Sequence, residues 1–226
     1  MTSPTDLHRT VALRPRRPSP LGGAKPTRAD LAAVDTADPN GVDDVLPAGA
    51  SHRLDLLIVG INPGLWTAAV NAPFARPGNR FWPALNRAGM TDAVVDCSLG
   101  LTDEDALALL RRGIGLTNLI GRATARADQL SREELRAAGV RLVHRVQELR
   151  PRAVAIAGIT AYRTAFRLPK AQLGRQDPSA LPEDLPRWPT GTALWVVPQP
   201  SGLNAHENID SLAEKWREVL ADIGRT

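Results

Sequence analysis

Cysteine is almost missing from this chain: Cys97 stands alone among 226 residues. One thiol makes no intramolecular disulfide, and it cannot supply an iron–sulfur cluster or a Cys-rich zinc site. Long apolar runs are missing as well. Nothing approaches the ~20 consecutive apolar residues that a membrane-spanning helix needs, so no membrane partner is expected. The first residues hold Pro and Arg without an apolar h-region, which reads as no secretory signal and as a cytoplasmic protein. His-Glu-x-x-His and Walker A motifs are absent, paired carboxylates are absent from the strand ends, and Ser201 does not sit in a Gly-x-Ser-x-Gly elbow. No internal repeat is present, and neither a metal nor a cofactor is expected.

What is there suits one globular domain. Hydrophobic residues make up 43% and charged residues 23%, and the length falls near the usual size of a single domain. A formal charge of +4 with a pI near 9.9 permits a polyanionic partner without requiring one. Arginine is concentrated at Arg122, Arg126, Arg132, Arg136, Arg141, Arg145, Arg150 and Arg152, a distribution that also fits an ordinary solvated helix face.

Residues 1–25 are rich in Pro, Arg and Ser around Arg14-Pro15-Arg16-Arg17-Pro18 and read as a disordered basic tail. A short capped helix is expected over Thr27–Val34, then an acidic connector to about Ser51, so that a single domain spans residues 26–226. Leu56-Leu57-Ile58-Val59-Gly60 reads as a buried parallel strand, with two more at Ala153–Gly158 and Ala193–Val197 and a short strand over Gly115–Ile120. Helices are expected over Asn79–Gly89, Thr102–Arg112, Ser131–Arg150, Thr160–Phe166 and Ile209–Ile223. Leu65–Pro77 reads as a loop, and 169–191, with five prolines, as an irregular surface loop. The alternation of strands and helices predicts a three-layer α/β/α sandwich around a mostly parallel sheet.

The first strand opens into Gly60-Ile61-Asn62-Pro63-Gly64, where Pro63 fixes its φ and Gly64 admits a positive one. The last strand opens into Pro198-Gln199-Pro200-Ser201-Gly202-Leu203-Asn204-Ala205-His206. Between them lies Phe74-Ala75-Arg76-Pro77-Gly78-Asn79-Arg80-Phe81-Trp82. Carboxyl ends of parallel strands are where α/β sheets collect their ligands, so these three segments are candidates for one site.

In this order the three segments resemble the mismatch-specific uracil/thymine DNA glycosylases, the MUG/TDG branch of the uracil-DNA glycosylase superfamily, from about Pro26 to the C-terminus. The family motifs are G-I-N-P-G and N-P-S-G-L-S-R. The resemblance implies a monofunctional DNA glycosylase that releases uracil, and also ethenocytosine or mismatched thymine, opposite guanine in duplex DNA. It implies a monomer associated with the nucleoid and acting on DNA that carries a mismatched or damaged base. Asn62 would position the attacking water, since an amide oxygen accepts hydrogen bonds but takes no full proton. The fast uracil glycosylases carry an acidic residue in the equivalent motif; its absence here implies a slow reaction that relies on pre-positioning.

Gly60, Ile61, Pro63 and Gly64 would line the base site, the backbone N–H groups of the Ile61–Gly64 loop other than proline's facing the departing base, with Phe74 as its stacking platform. No lysine occurs in either motif, which argues against a Schiff-base lyase step. Gly202-Leu203-Asn204 would form the wedge that fills the gap left by an extruded base. Ser201 and Arg76 are candidates for the DNA backbone, and His206 for the cation missing from the second motif, where Asn204-Ala205 replaces Ser-Arg and Gln199 replaces Asn. Asn118 stands where some relatives carry Lys, and base contact, phosphate contact or turn closure are equally open to it. Asn79 and Arg80 read as a helix cap and a surface cation, and Trp82 as core. A broader uracil-DNA glycosylase and a non-catalytic nucleic-acid-binding module on the same fold are the alternatives.

Overall fold

The computed structural model describes residues 11–49, 52–202 and 204–224. A five-stranded sheet runs in the order β2-β1-β3-β5-β4, made of β1 (Leu56–Gly60), β2 (Ile114–Asn118), β3 (Ala153–Ala157), β4 (Gly174–Gln176) and β5 (Ala193–Val197). Strands β2, β1, β3 and β5 are parallel, and β4 is antiparallel to β5. Helices flank the sheet: α1 (Arg28–Ala32), α2 (Leu65–Val70), α3 (Phe81–Arg87), α4 (Asp103–Arg111), α5 (Arg132–Leu149), α6 (Ile159–Ala165) and α7 (Ile209–Asp222). Helix α3 packs on α7, and α5 on α6. The three-layer α/β/α expectation therefore holds. No helix among the described residues is long and apolar enough to cross a membrane.

Strands β1 and β3 are buried at every position, which is why both read as continuous apolar runs without alternation. The chain leaves β1 for β2 on one side and then returns to β3 on the other, so the crevice at the carboxyl end of β1 is a topological switch point. Helix starts are legible from side-chain chemistry: Thr27, Thr102 and Ser131 each accept a backbone N–H of the first turn, and Ser131 with Glu134 closes a capping box.

Four expectations need correction. Residues 11–25 are not a loose tail. Leu13 bridges Pro47, Arg14 pairs with Glu148 at 2.8 Å, and Arg16 donates to the carbonyls of Leu101 (3.1 Å) and Asn71 (2.9 Å). Arg17 binds Asp43, and Asn71 Nδ2 donates to the carbonyl of Arg17 at 2.6 Å. Those arginines are consumed by the fold, because each finds a carboxylate or an exposed carbonyl on the domain. The domain thus begins at least as early as residue 11; residues 1–10 lie outside the described part.

Second, the stretch 65–77 contains α2, stopped by Asn71 in a left-handed conformation at φ 48°. Third, the loop 169–191 contains β4 and a 3₁₀ turn at Pro178–Ala180, so its prolines flank an edge strand that is only three residues long. Finally, Gly64 takes φ −79°, not a positive value, and is the N-cap of α2. The connector also joins the sheet: Val45 and Leu116 exchange backbone bonds at 2.9 Å, covering the free edge of β2.

Candidate active site

Four strand ends converge on one open cleft of about 990 Å³. Ile61, Asn62, Pro63 and Gly64 follow β1, Asn118 closes β2, Gly158 follows β3, and Pro198 to Ser201 follow β5; all line it. Phe74, Arg76 and Asn79 form another wall, and Asn204 and His206 the rim. A larger groove of about 1220 Å³ along residues 175–194 holds none of the motif residues.

The loop after β1 is stitched to the loop after β2. Ile120 donates to the carbonyl of Ile61 at 2.9 Å and Thr124 to that of Pro63 at 3.1 Å. On this base Asn62 Nδ2 donates to the carbonyl of Pro63 (3.0 Å), the carbonyl of Arg122 (3.3 Å) and Thr124 Oγ1 (2.8 Å). Two of those partners are carbonyls and can only accept, so the amide nitrogen must face them. Its oxygen is left for the cleft. Two carboxylates also line the cleft and both are engaged, Asp128 by Arg126 and Glu207 by Ser211 Oγ, each at 2.5 Å.

Phe74 is half-buried and stacks on Phe81 with ring centroids 3.8 Å apart and planes 18° from parallel. Its backbone takes φ 57°, a region that costs a non-glycine residue about 1 kcal/mol or more and persists only where its neighbours impose it. Here the preceding carbonyl, that of Pro73, is held by Trp82 Nε1 at 3.1 Å and Cys97 Sγ at 3.4 Å. Trp82 is buried core, as expected, and burial pushes the Cys97 thiol up to about 12, which leaves it unreactive.

A model of the uracil DNA glycosylase superfamily matches residues 46–222. The chain belongs to the uracil-DNA glycosylase superfamily. Membership implies a DNA glycosylase acting on uracil, a hydrolase of DNA repair whose partner is DNA.

Within this superfamily member the sequence candidates come together unevenly. Ile61, Asn62, Pro63, Gly64, Phe74, Asn118, Arg76, Ser201, Asn204 and His206 all line the cleft, whereas Gly60 lies behind it, against Asn118 and Phe74. Gly202 is exposed at the edge of the same loop, and Leu203, the wedge candidate, lies outside the described residues. Three contributors were not singled out from sequence as site residues: Thr124 and the Arg122 carbonyl, which orient Asn62, and Arg80, which holds the second motif. A bare Thr after Arg-Ala carries no signal of its own, because its role depends on two loops meeting in space.

Gly60 shows why the first motif begins with glycine. A Cβ there would lie 2.3 Å from Asn118 Oδ1 and 3.2 Å from the Phe74 ring. Gly60→Ala should leave the fold intact, because the crowded groups are side-chain ends, yet lower uracil release about tenfold or more by displacing both walls of the pocket. Comparing kcat/KM with the melting temperature checks this; loss of both in step would mean that the strand itself had failed.

The loop that orients Asn62 is anchored by charge. Arg122 binds Glu134 through two bonds, at 2.6 and 2.9 Å, and Glu134 also accepts the Ser131 N–H of the capping box at 2.9 Å. Together, Arg122 first and Ser131 second, they hold the Glu134 carboxyl down at about 2, from an ordinary 4.5. A lowered folded value stabilises above the unfolded one and is lost as pH falls through the folded one. Urea melts should therefore show stability declining from about pH 4.5 toward 2, with part of that slope missing in Glu134→Gln. Both side chains are partly exposed, so added salt should weaken the effect.

Proposed function

We propose that this chain is a mismatch-specific, monofunctional uracil-DNA glycosylase that hydrolyses the N-glycosidic bond of uracil opposite guanine in duplex DNA, with ethenocytosine and mismatched thymine as further substrates. The observation that carries the reading is Asn62: its amide nitrogen is held by two carbonyls and a hydroxyl, so that its oxygen is available in the cleft beside Phe74 and Asn118. Such an oxygen can hold a water against the anomeric carbon. The water oxygen bonds to C1′, the C1′–N1 bond breaks, and uracil leaves with the bonding pair. The water's proton passes to the departing base or to solvent, because an amide does not keep it.

Phe74 offers a ring face to an extruded base, stiffened from behind by Phe81. Asn118 ends β2 at the cleft wall, and no hydrogen bond among the described residues engages its amide, which suits contact with the base edge. Residues 198–206 supply the wedge, and Arg76 and Ser201 the phosphate contacts.

The test is a duplex with a single G·U pair, beside matched A·U and single-stranded uracil, with abasic sites revealed by alkali. Cleavage confined mainly to G·U is the expected result. Equal cleavage of all three would move the chain to a broader uracil glycosylase, and DNA binding without base release would make it a binding module.

A further inference from the structure

The second motif of this chain has an unusual foundation. Its loop, residues 198–207, holds no helix or strand among the described residues and lines the cleft beyond the end of β5. A loop that must displace a base pair has to keep its shape while doing so, and most of this one's internal bonds are single turns: Asn204 N–H to the Ser201 carbonyl at 3.0 Å, Asn204 Nδ2 to Gln199 at 3.1 Å, and His206 N–H to Asn204 Oδ1 at 3.2 Å.

Arg80 supplies the missing support. Its backbone N–H donates to the Pro200 carbonyl at 2.9 Å. Its guanidinium donates to the carbonyls of Asn204 (2.8 Å), Glu207 (2.7 Å) and Gly202 (3.3 Å). Four carbonyls of one eight-residue stretch thus converge on one residue, from a segment more than a hundred positions earlier in sequence. The two segments also touch directly: a Cβ on Gly202 would lie 2.7 Å from the Gly78 carbonyl oxygen. The Asn79 carboxamide oxygen meanwhile accepts the Phe81 N–H at 2.9 Å, so Arg80 is held at the start of α3, the helix whose Phe81 backs Phe74.

This arrangement has an electrostatic and a geometric consequence. Carbonyls turned inward onto a cation present less negative potential to a phosphate backbone. In trans peptides, and none among the described residues is cis, the N–H lies opposite the carbonyl. With the Pro200 and Asn204 carbonyls facing Arg80, the N–H groups of Ser201 and Ala205 point away from it. Arginine fits the task because its planar fork reaches several acceptors at fixed angles, which a lysine ammonium does not.

We propose that Arg80 is a positioning residue for base extrusion: it sets the conformation of the wedge loop for duplex substrates without touching the reacting bond. This rests on the wedge reading of residues 198–206 given above. The same contact ties the wedge loop to the wall that carries Phe74, so that one residue keeps plug and platform in register.

The test compares two substrates: a G·U duplex, and the same uracil placed in an unpaired bulge, where no stacked pair has to be displaced. In Arg80→Ala, kcat/KM on the duplex should fall about a hundredfold, the size expected for a misplaced catalytic constellation. On the bulge it should fall no more than about threefold, and Arg80→Lys should recover about a tenth of the duplex rate by restoring one of the guanidinium's contacts. Equal loss on both substrates, or a duplex rate unchanged in Arg80→Ala, would overturn the proposal. Should Arg80→Ala fail to fold by circular dichroism, Arg80→Lys and Arg80→Gln carry the same comparison. Wild-type protein inert on both substrates would remove the glycosylase reading itself; wild-type activity on both, with equal loss in the variant, would remove only the role of Arg80.

Discussion

Replacing Asn62 by Ala should lower uracil release from a G·U duplex by about a thousandfold, while affinity for the duplex should change by less than about threefold. The first figure follows if the group removed is the one that holds the nucleophile, as proposed, in an open cleft where positioning and polar preorganisation supply most of the acceleration. The second follows because DNA affinity comes mainly from phosphate contacts, and Asn62 is a half-buried, uncharged residue of the cleft lining. Single-turnover rates with saturating protein, beside a filter-binding or anisotropy titration, separate the two. Retained turnover with a large loss of affinity would reassign Asn62 to DNA binding.

The second large effect runs against simple chemical expectation. A carboxylate is a better base than an amide, and a well-placed general base contributes roughly 10²–10⁴-fold, so on that ground alone Asn62→Asp would be a faster enzyme. In this fold it should be slower by about tenfold and less stable by about 1–3 kcal/mol. The reason is the local donor count: where Asn62 Nδ2 now donates to the Pro63 and Arg122 carbonyls, an aspartate oxygen would face two acceptors with no proton to offer. Thr124 alone could answer it.

Those carbonyls raise the aspartate's pKa, since they favour the protonated form. A raised folded value stabilises below the unfolded pKa and loses that contribution as pH rises through the folded one, so the stability gap to wild type should widen from pH 4 to pH 8. Thermal melts across that range and turnover at neutral pH check it. A faster enzyme of unchanged melting temperature would mean that the amide is not held as described.

Both expectations depend on loops that a linear reading does not join. Local chemistry was written plainly in the chain: three apolar runs for β1, β3 and β5, capping residues at Thr27, Thr102 and Ser131, and a glycine-bearing turn at the end of β1. These depend on neighbours within a few residues, where propensity and periodicity suffice. Helix α2 and strand β4 were not legible. The first is six residues long and the second three, too short for periodicity to register, and each is stabilised by partners far away in sequence.

The arginines make the same point more sharply. Arg14, Arg16 and Arg17 look like a solvated basic tail, and Arg80 like a surface cation, because a sequence shows charge without showing acceptors. Only the folded chain brings Glu148, the Asn71 carbonyl, Asp43 and the carbonyls of residues 202, 204 and 207 within reach. Asn62 lies between the two cases.

The sequence by itself determined the α/β class, the strand that leads into the cleft, and the amide at its end, since each is encoded by residues in direct succession. Tertiary structure decided which way that amide faces, what supports the loop opposite it, and which charges remain at the surface. Hydrogen-bond partners are chosen by distance and angle in space, and residues as far apart as Arg80 and Glu207 meet only when the sheet has closed between them.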